Sequence, residues 1–240
     1  MSDIASIIIL TLAAGACIPI GGLIASFEHF RPQWLERELR HFVIALGGGI
    51  LLGAVAIVLV PEGIASMQNS MLAIPLFLAG GLAFFLIERA LGLRRREAPQ
   101  LMGMILDYVP EAVALGGMLA LESPAAPLLA LLIGMQNLPE GFNAYRELCT
   151  HTPHHKGHTL KVMSSLVILG PIAGLSGYHF LSQHPAILGA IMLFASGGIL
   201  YLIFQDIAPQ SRLKRHWAPP LGAVAGFSIA LFSEMVVSRV

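Results

Sequence analysis

A chain of 240 residues that is 56% hydrophobic and only 12% charged, with a mean hydropathy of +0.77, is not a water-soluble globular protein, in which about a quarter of residues carry charge. Fourteen basic residues balance fourteen acidic ones, which excludes the basic footprint needed to bind nucleic acid. A helix crosses the hydrocarbon core in about 20 apolar residues, so the expected fold is all-α: a polytopic membrane bundle of about eight helices with no separate soluble domain.

The first apolar run covers residues 4–26. It follows Met1-Ser2-Asp3, without the basic n-region and small-residue cleavage site of a secretory signal, and is expected to remain as a membrane helix. Further runs cover 42–66, 71–91, 101–121, 125–148, 160–181, 185–206 and 218–237. Gly and Pro inside them are compatible with membrane helices, because neighbouring helices satisfy the freed backbone groups. The two cysteines, Cys17 and Cys149, form neither a CxxC pair nor a disulfide framework.

The links between these runs segregate charge. Arg31, Arg37 and Arg40 follow the first run, and Arg89, Arg94, Arg95 and Arg96 the third. Arg146, Lys156 and Lys161 follow the fifth, and Arg212, Lys214 and Arg215 the seventh, leaving only Arg239 at the other side. The positive-inside rule makes the basic side cytoplasmic, so both termini are expected to face the outside or periplasm; the expected location is a plasma membrane, such as the inner membrane of a bacterium.

Internal echoes suggest a duplicated plan. Gly48-Gly49-Ile50-Leu51 with Pro61-Glu62 in the second run matches Gly197-Gly198-Ile199-Leu200 with Pro209-Gln210 in the seventh. An inverted repeat of runs 1–3 and 6–8 would produce this pattern; two unrelated Gly-rich packing helices would also. A second echo relates Asp107-Tyr108-Val109-Pro110-Glu111 in the fourth run to Gln136-Asn137-Leu138-Pro139-Glu140 in the fifth. Each unit places a polar side chain and a Glu four residues apart, on one helix face.

An ionised carboxylate at mid-bilayer costs about 2.5 kcal/mol or more, so Asp107, Glu111 and Glu140 are functional candidates. No Lys or Arg falls in the central part of any run, which leaves a bound cation or a proton to supply the positive charge. Proline at 110 and 139 lacks the N–H that the carbonyl four residues earlier would accept, exposing the oxygens of Leu106 and Met135. With the amide oxygens of Gln136 and Asn137, the two helices present an oxygen-rich cluster suited to a metal cation.

At these residues the chain resembles the ZIP family of divalent metal-ion transporters, whose fourth and fifth helices carry His-x-x-x-Glu patterns with Pro before Glu. Leu59-Val60-Pro61-Glu62 resembles that family's Leu-Pro-Glu ending, and Gly197-Gly198-Ile199-Leu200-Tyr201 through Gln210 resembles its Gly-Gly-x-Leu-Tyr run and the polar motif after it. The resemblance covers nearly the whole chain. It implies eight helices in a 3+2+3 inverted-repeat plan and an elevator motion of helices 1, 4, 5 and 6 against the rest. It also implies a mid-membrane metal site of Asp107, Glu111, Gln136 and Glu140, with Asn137 and Tyr108 at neighbouring second-metal positions and Gln205 and Asp206 near the cytoplasmic exit.

The chain departs from the family where Asp107, Gln136 and Gln205 stand in place of histidines. Imidazole suits zinc, whereas carboxylate and amide oxygens suit harder ions such as manganese. Tyr108 replaces a small polar residue, which speaks against a second metal. The implied cargo is a divalent ion of the zinc, iron or manganese class; no prosthetic group is expected, the lipid bilayer is the obligatory partner, and a homodimer is an allowed assembly.

Other features carry blander readings. His151, His154, His155 and His158 could collect metal at the cytoplasmic face or form a plain solvated loop. Methionines in apolar helices usually pack. Gly174-Leu175-Ser176-Gly177 matches a string of intramembrane serine proteases, but no histidine base lies at depth in the later runs, so no enzyme is expected. A proton-coupled carrier of another solute, or a non-transporting metal sensor or intramembrane metalloenzyme, remains the alternative.

Overall fold

The computed structural model describes residues 3–27, 33–91, 99–151, 156–213 and 217–239. They form eight helical rods in chain order, with no strand among the described residues. The first rod is α1 (Asp3–Phe27). The second joins α2 (Gln33–Gly53), a π-helical segment (Ala54–Leu59) and α3 (Val60–Ser66); the third is α4 (Ala73–Leu91), the fourth α5 (Pro99–Ala120) and the fifth α6 (Ala126–His151). The sixth joins α7 (Lys156–Leu166) to α8 (Leu169–Leu181), and the seventh joins α9 (Pro185–Leu202), a second π-helical segment (Ile203–Ile207) and α10 (Ala208–Gln210). The eighth is α11 (Leu221–Val237).

Six of these rods are long and apolar enough to cross a membrane. The other two differ for identifiable reasons. α6 is long, but Gln136, Asn137, Glu140, Asn143, Arg146 and Glu147 lower its hydropathy. α11 is apolar but has 17 residues, about 26 Å at 1.5 Å per residue, short of the roughly 30 Å hydrocarbon core. The bundle is inverted relative to a soluble protein: Ile9, Leu12, Leu23, Leu78, Leu82 and Phe232 are exposed, while Asp107, Glu111, Gln136, Asn137, Glu140 and Asn143 are buried.

Proline accounts for the irregular segments. In the second and seventh rods the π-helical turn ends two residues before a proline, Pro61 and Pro209. The proline ring would strike the carbonyl four residues back, and widening to the i→i+5 pattern moves it aside: the amides of Val60 and Ala208 donate to Val55 and Ile203, five residues earlier. In the sixth rod the chain breaks at residues 167–168, just before Pro171, where the amides of Val167 and Ile168 donate three residues back. That rod begins at Lys156, four residues ahead of the expected 160.

Close contacts fix how the rods run. In lipid, helices associate through small residues that let backbones approach. Four pairs do so reciprocally: Gly21 faces the Leu138 carbonyl and Gly141 that of Ile18, while Gly116 faces Gly174 and Gly177 faces Val113. Gly80 faces Phe194 and Gly197 faces Phe77; Gly49 faces Ala223 and Gly226 faces Leu46. In each case a Cβ would land on the partner's carbonyl oxygen. The paired rods are parallel, since contacts advance together, as in Phe42 with Gly222, Leu46 with Gly226 and Ala230 with Gly53.

Other contacts run in opposite order. Gly15 meets Val167 whereas Gly174 meets Ile7, so the first and sixth rods are antiparallel. Gly48 meets Ile207 whereas Gly63 meets Gly189, so the second and seventh are too. Gly47 lies by Pro139 and Ser233 of the eighth rod bonds Met135, which sets the fifth rod antiparallel to the second. Together these contacts make the eight rods alternate strictly in direction. They also sort the rods into two bodies, rods 1, 4, 5 and 6 and rods 2, 3, 7 and 8, joined mainly where α6 meets α2 and α5 meets α9.

The Gly141 contact predicts a measurable cost. Gly141→Val drives a branched side chain into the Ile18 backbone, and overpacking of this kind costs about 1–3 kcal/mol. The thermal midpoint in detergent should fall clearly below that of the unmodified protein. Gly103→Ala, where a Cβ meets nothing within 4 Å, should not lower it and can raise it slightly, because Ala favours the helix over Gly; equal midpoints for all three proteins would contradict the packing.

Candidate cation site

The antiparallel crossing of α5 and α6 brings the two echoing units face to face. Asp107 lies opposite Glu140, and Glu111 opposite Gln136, whose Nε2 donates to Glu111 Oε2 at 2.6 Å. Both Glu111 and Gln136 are 0% exposed, and Glu140 is 8% exposed. The i, i+4 spacing is what permits this: each unit's polar residue and Glu sit one turn apart on a common face, so two antiparallel copies pair first with last.

Most of the oxygens lack a partner. Asp107 Oδ1, Glu111 Oε1, Gln136 Oε1, Asn137 Oδ1 and both carboxylate oxygens of Glu140 are buried without a hydrogen bond. Buried polar atoms in native proteins are rarely left this way. Among the described residues no Lys or Arg pairs with Asp107, Glu111 or Glu140. Removing a carboxylate from water without a compensating cation is strongly unfavourable, so the arrangement is stable only with a cation or proton present. Among the described residues, however, no three His, Cys, Asp or Glu side chains gather closely enough to hold a metal.

A cavity of about 30 Å³, roughly the space of one water, touches this cluster. Asp107, Glu140, Asn143 and Asp206 line it together with Gly47, Gly48 and Gly103. Its wall comes from the end of each rod nearest the Lys and Arg residues: residues 43–48 of α2, 103–107 of α5, 140–143 of α6 and 202–207 of the seventh rod. Glu111 and Gln136 lie one turn farther from that end and do not line it.

The other expected site residues divide. Asn137 Nδ2 donates to the Ala14 carbonyl at 3.0 Å, and the Tyr108 hydroxyl donates to the Thr11 carbonyl at 3.1 Å, so both tie their helices to α1. Asp206 faces the cavity, but Gln205 is exposed on a separate open depression with Tyr201 and Phe204. His154 and His155 lie outside the described residues; His151 ends α6, and His158 is exposed on α7. The Gly-x-Ser-Gly string is occupied by packing: Gly174 and Gly177 face α1 and α5, and Ser176 Oγ donates to the Ala173 carbonyl at 2.7 Å.

Sequence reasoning missed Asn143. It is 1% exposed, lies one turn beyond Pro139 and donates from Nδ2 to the Pro139 carbonyl at 2.9 Å. Its signal was available: it continues the face of Gln136 and Glu140 at helical spacing. The Met135 sulfur lies 3.9 Å from Ser233 Oγ, whose hydroxyl donates to the Ile229 carbonyl at 2.9 Å. On the opposite flank of α5, Leu106, Val109 and Pro110 line a wholly apolar groove of about 600 Å³ against α4 and α9.

No protein-family model matches this chain, and no curated protein matches it.

Tyr108→Phe separates anchoring from ion chemistry. Loss of the bond to Thr11 should lower stability by about 1 kcal/mol, read as a small drop in thermal midpoint, while divalent-ion binding measured by titration stays unchanged. A large loss of ion affinity at normal stability would place Tyr108 in the site instead.

Proposed function

We propose that this chain is a membrane carrier of divalent metal cations of the ZIP kind, taking up ions of the manganese, iron or zinc class into the cytoplasm. The observation that carries this reading is Glu140: both its oxygens are buried and without a hydrogen bond, beside Asp107 in the same cavity, with no basic side chain among the described residues paired to either. Charge of that kind inside an apolar bundle marks an ion pathway by default. The donor set is oxygen throughout, which favours harder divalent ions over zinc.

The proposed topology has eight crossings, the basic links in the cytoplasm and both termini on the periplasmic side of a bacterial inner membrane. Alternating rod directions support it, because α6 and α11 run beside rods that are long enough to cross. A 3+2+3 inverted repeat is supported by the packing. Exchanging rods 1 with 6, 2 with 7, 3 with 8 and 4 with 5 maps each major contact onto another: α1 with α6 onto α8 with α5, and α2 with α11 onto α9 with α4. The two π-helical turns exchange in the same way. Motion of rods 1, 4, 5 and 6 against the others would carry the α5–α6 face across the bilayer.

Reconstitution in liposomes tests the proposal. Glu111→Ala and Glu140→Ala each remove a charge that a divalent ion needs, and uptake of labelled manganese or cadmium should fall to the level of empty liposomes. Near-normal uptake by Glu140→Ala, at equal reconstituted protein, would remove this face from the pathway.

A further inference from the structure

We propose that the ion path contains an all-oxygen subsite on the basic-end side of the Glu111–Gln136 pair, in which Asn143 Oδ1 is the third ligand beside Asp107 and Glu140. This inference rests on the carrier reading and adds to it a residue and a position. The three side chains line one cavity, and each contributes at least one oxygen that is buried and without a partner: Asp107 Oδ1, both oxygens of Glu140, and Asn143 Oδ1.

The orientation of the Asn143 amide follows from chemistry. Its other end lies 2.9 Å from the Pro139 carbonyl oxygen, which accepts hydrogen bonds and cannot donate them, so Nδ2 must point there and Oδ1 must be the free end. The backbone around Pro139 thereby holds the amide as an acceptor, ready for a cation. The cavity is also bounded by Gly47, Gly48 and Gly103, and around Gly103 there is open space, since a Cβ there would meet nothing within 4 Å. A site of two carboxylates and an amide also agrees with the finding that no three His, Cys, Asp or Glu side chains converge.

The ligand class follows from the donors. Carboxylate and amide oxygens, with no imidazole or thiolate, suit a hard divalent cation such as Mn²⁺. Glu111 is tied to Gln136 and stands outside the cavity, so the ion held by Asp107, Glu140 and Asn143 sits one turn along the α5–α6 face toward the basic ends of the rods. Asp206, at the cavity wall, lies on the same route.

Asn143→Asp and Asn143→Ala test the assignment by their opposite effects. The probe is Mn²⁺, titrated into the full-length protein in nanodiscs and followed by electron paramagnetic resonance. Asn143→Asp keeps an oxygen at the ligand position, adds charge and removes the donor to Pro139; a subsite ligand should then bind Mn²⁺ about tenfold more tightly, since ligand charge tunes such affinities. Asn143→Ala should bind about tenfold more weakly. If Asn143 serves only to hold the Pro139 carbonyl, Asn143→Asp loses that bond and binds no better than wild type, which overturns the proposal. Unchanged affinity in Asn143→Ala overturns it equally, and that variant decides the matter if Asn143→Asp does not fold. Wild-type protein that neither binds nor transports Mn²⁺ would instead defeat the carrier reading, whereas normal wild-type binding with indifferent Asn143 variants defeats only the subsite.

Discussion

Uncompensated negative charge in an apolar bundle is the constraint on which the rest of the structure depends. A single ionised carboxylate at mid-bilayer costs about 2.5 kcal/mol or more, and Asp107, Glu111 and Glu140 occupy neighbouring turns of two facing helices. One hydrogen bond, from Gln136 to Glu111, answers part of that demand. Asp107 Oδ1, Glu111 Oε1 and both Glu140 oxygens have no hydrogen-bond partner among the described residues, and the cavity beside them leaves room for an ion or a water.

Holding such a face in place requires a rigid frame built without a hydrophobic driving force between helices. Reciprocal glycine contacts supply it, bringing backbones together in four parallel pairs. The frame is divided, however. Glycine locks lie within each of the two helical bodies, α1 with α6 and α5 with α8 in one, α2 with α11 and α4 with α9 in the other. Between the bodies the contacts are fewer, and the cavity lined by Asp107 and Glu140 opens along that seam. The π-helical turns before Pro61 and Pro209 sit in the body that faces the site, where widened turns often accompany function.

Much of this was legible in the residues. Apolar runs anticipated the all-helical architecture and the six helices long and apolar enough to cross a membrane, although α2 begins at Gln33, nine residues ahead of the expected 42, and the duplicated x-x-x-Pro-Glu units identified two helices whose polar faces meet. The Gly-Gly-Ile-Leu echo marked the two rods that share a π-helical turn. What the residues did not disclose depends on tertiary geometry. Nothing local says that Tyr108 and Asn137 turn toward α1 rather than toward an ion, because both turn on α1 carbonyls, those of Thr11 and Ala14, nearly 100 residues or more away in the chain. Gln205 and Asp206, adjacent in the chain, point to different surfaces of the seventh rod, and which of them meets the cavity is set by the neighbouring rods; the break at residues 167–168 lies just before Pro171. Asn143 lies three residues beyond the duplicated unit that ends at Glu140 and has no counterpart in the echo on α5, although its helical spacing from Glu140 was plain.

The most direct test of the account is to locate the ion itself. Anomalous difference density from crystals of the transport-competent protein grown with Mn²⁺ should show a peak between α5 and α6, within coordination distance of Asp107 and Glu140 oxygens, about 2.0–2.6 Å for hard divalent cations. No peak on the α5–α6 face, with Mn²⁺ bound elsewhere in the same crystals, would contradict the claim that these buried oxygens exist to hold a cation.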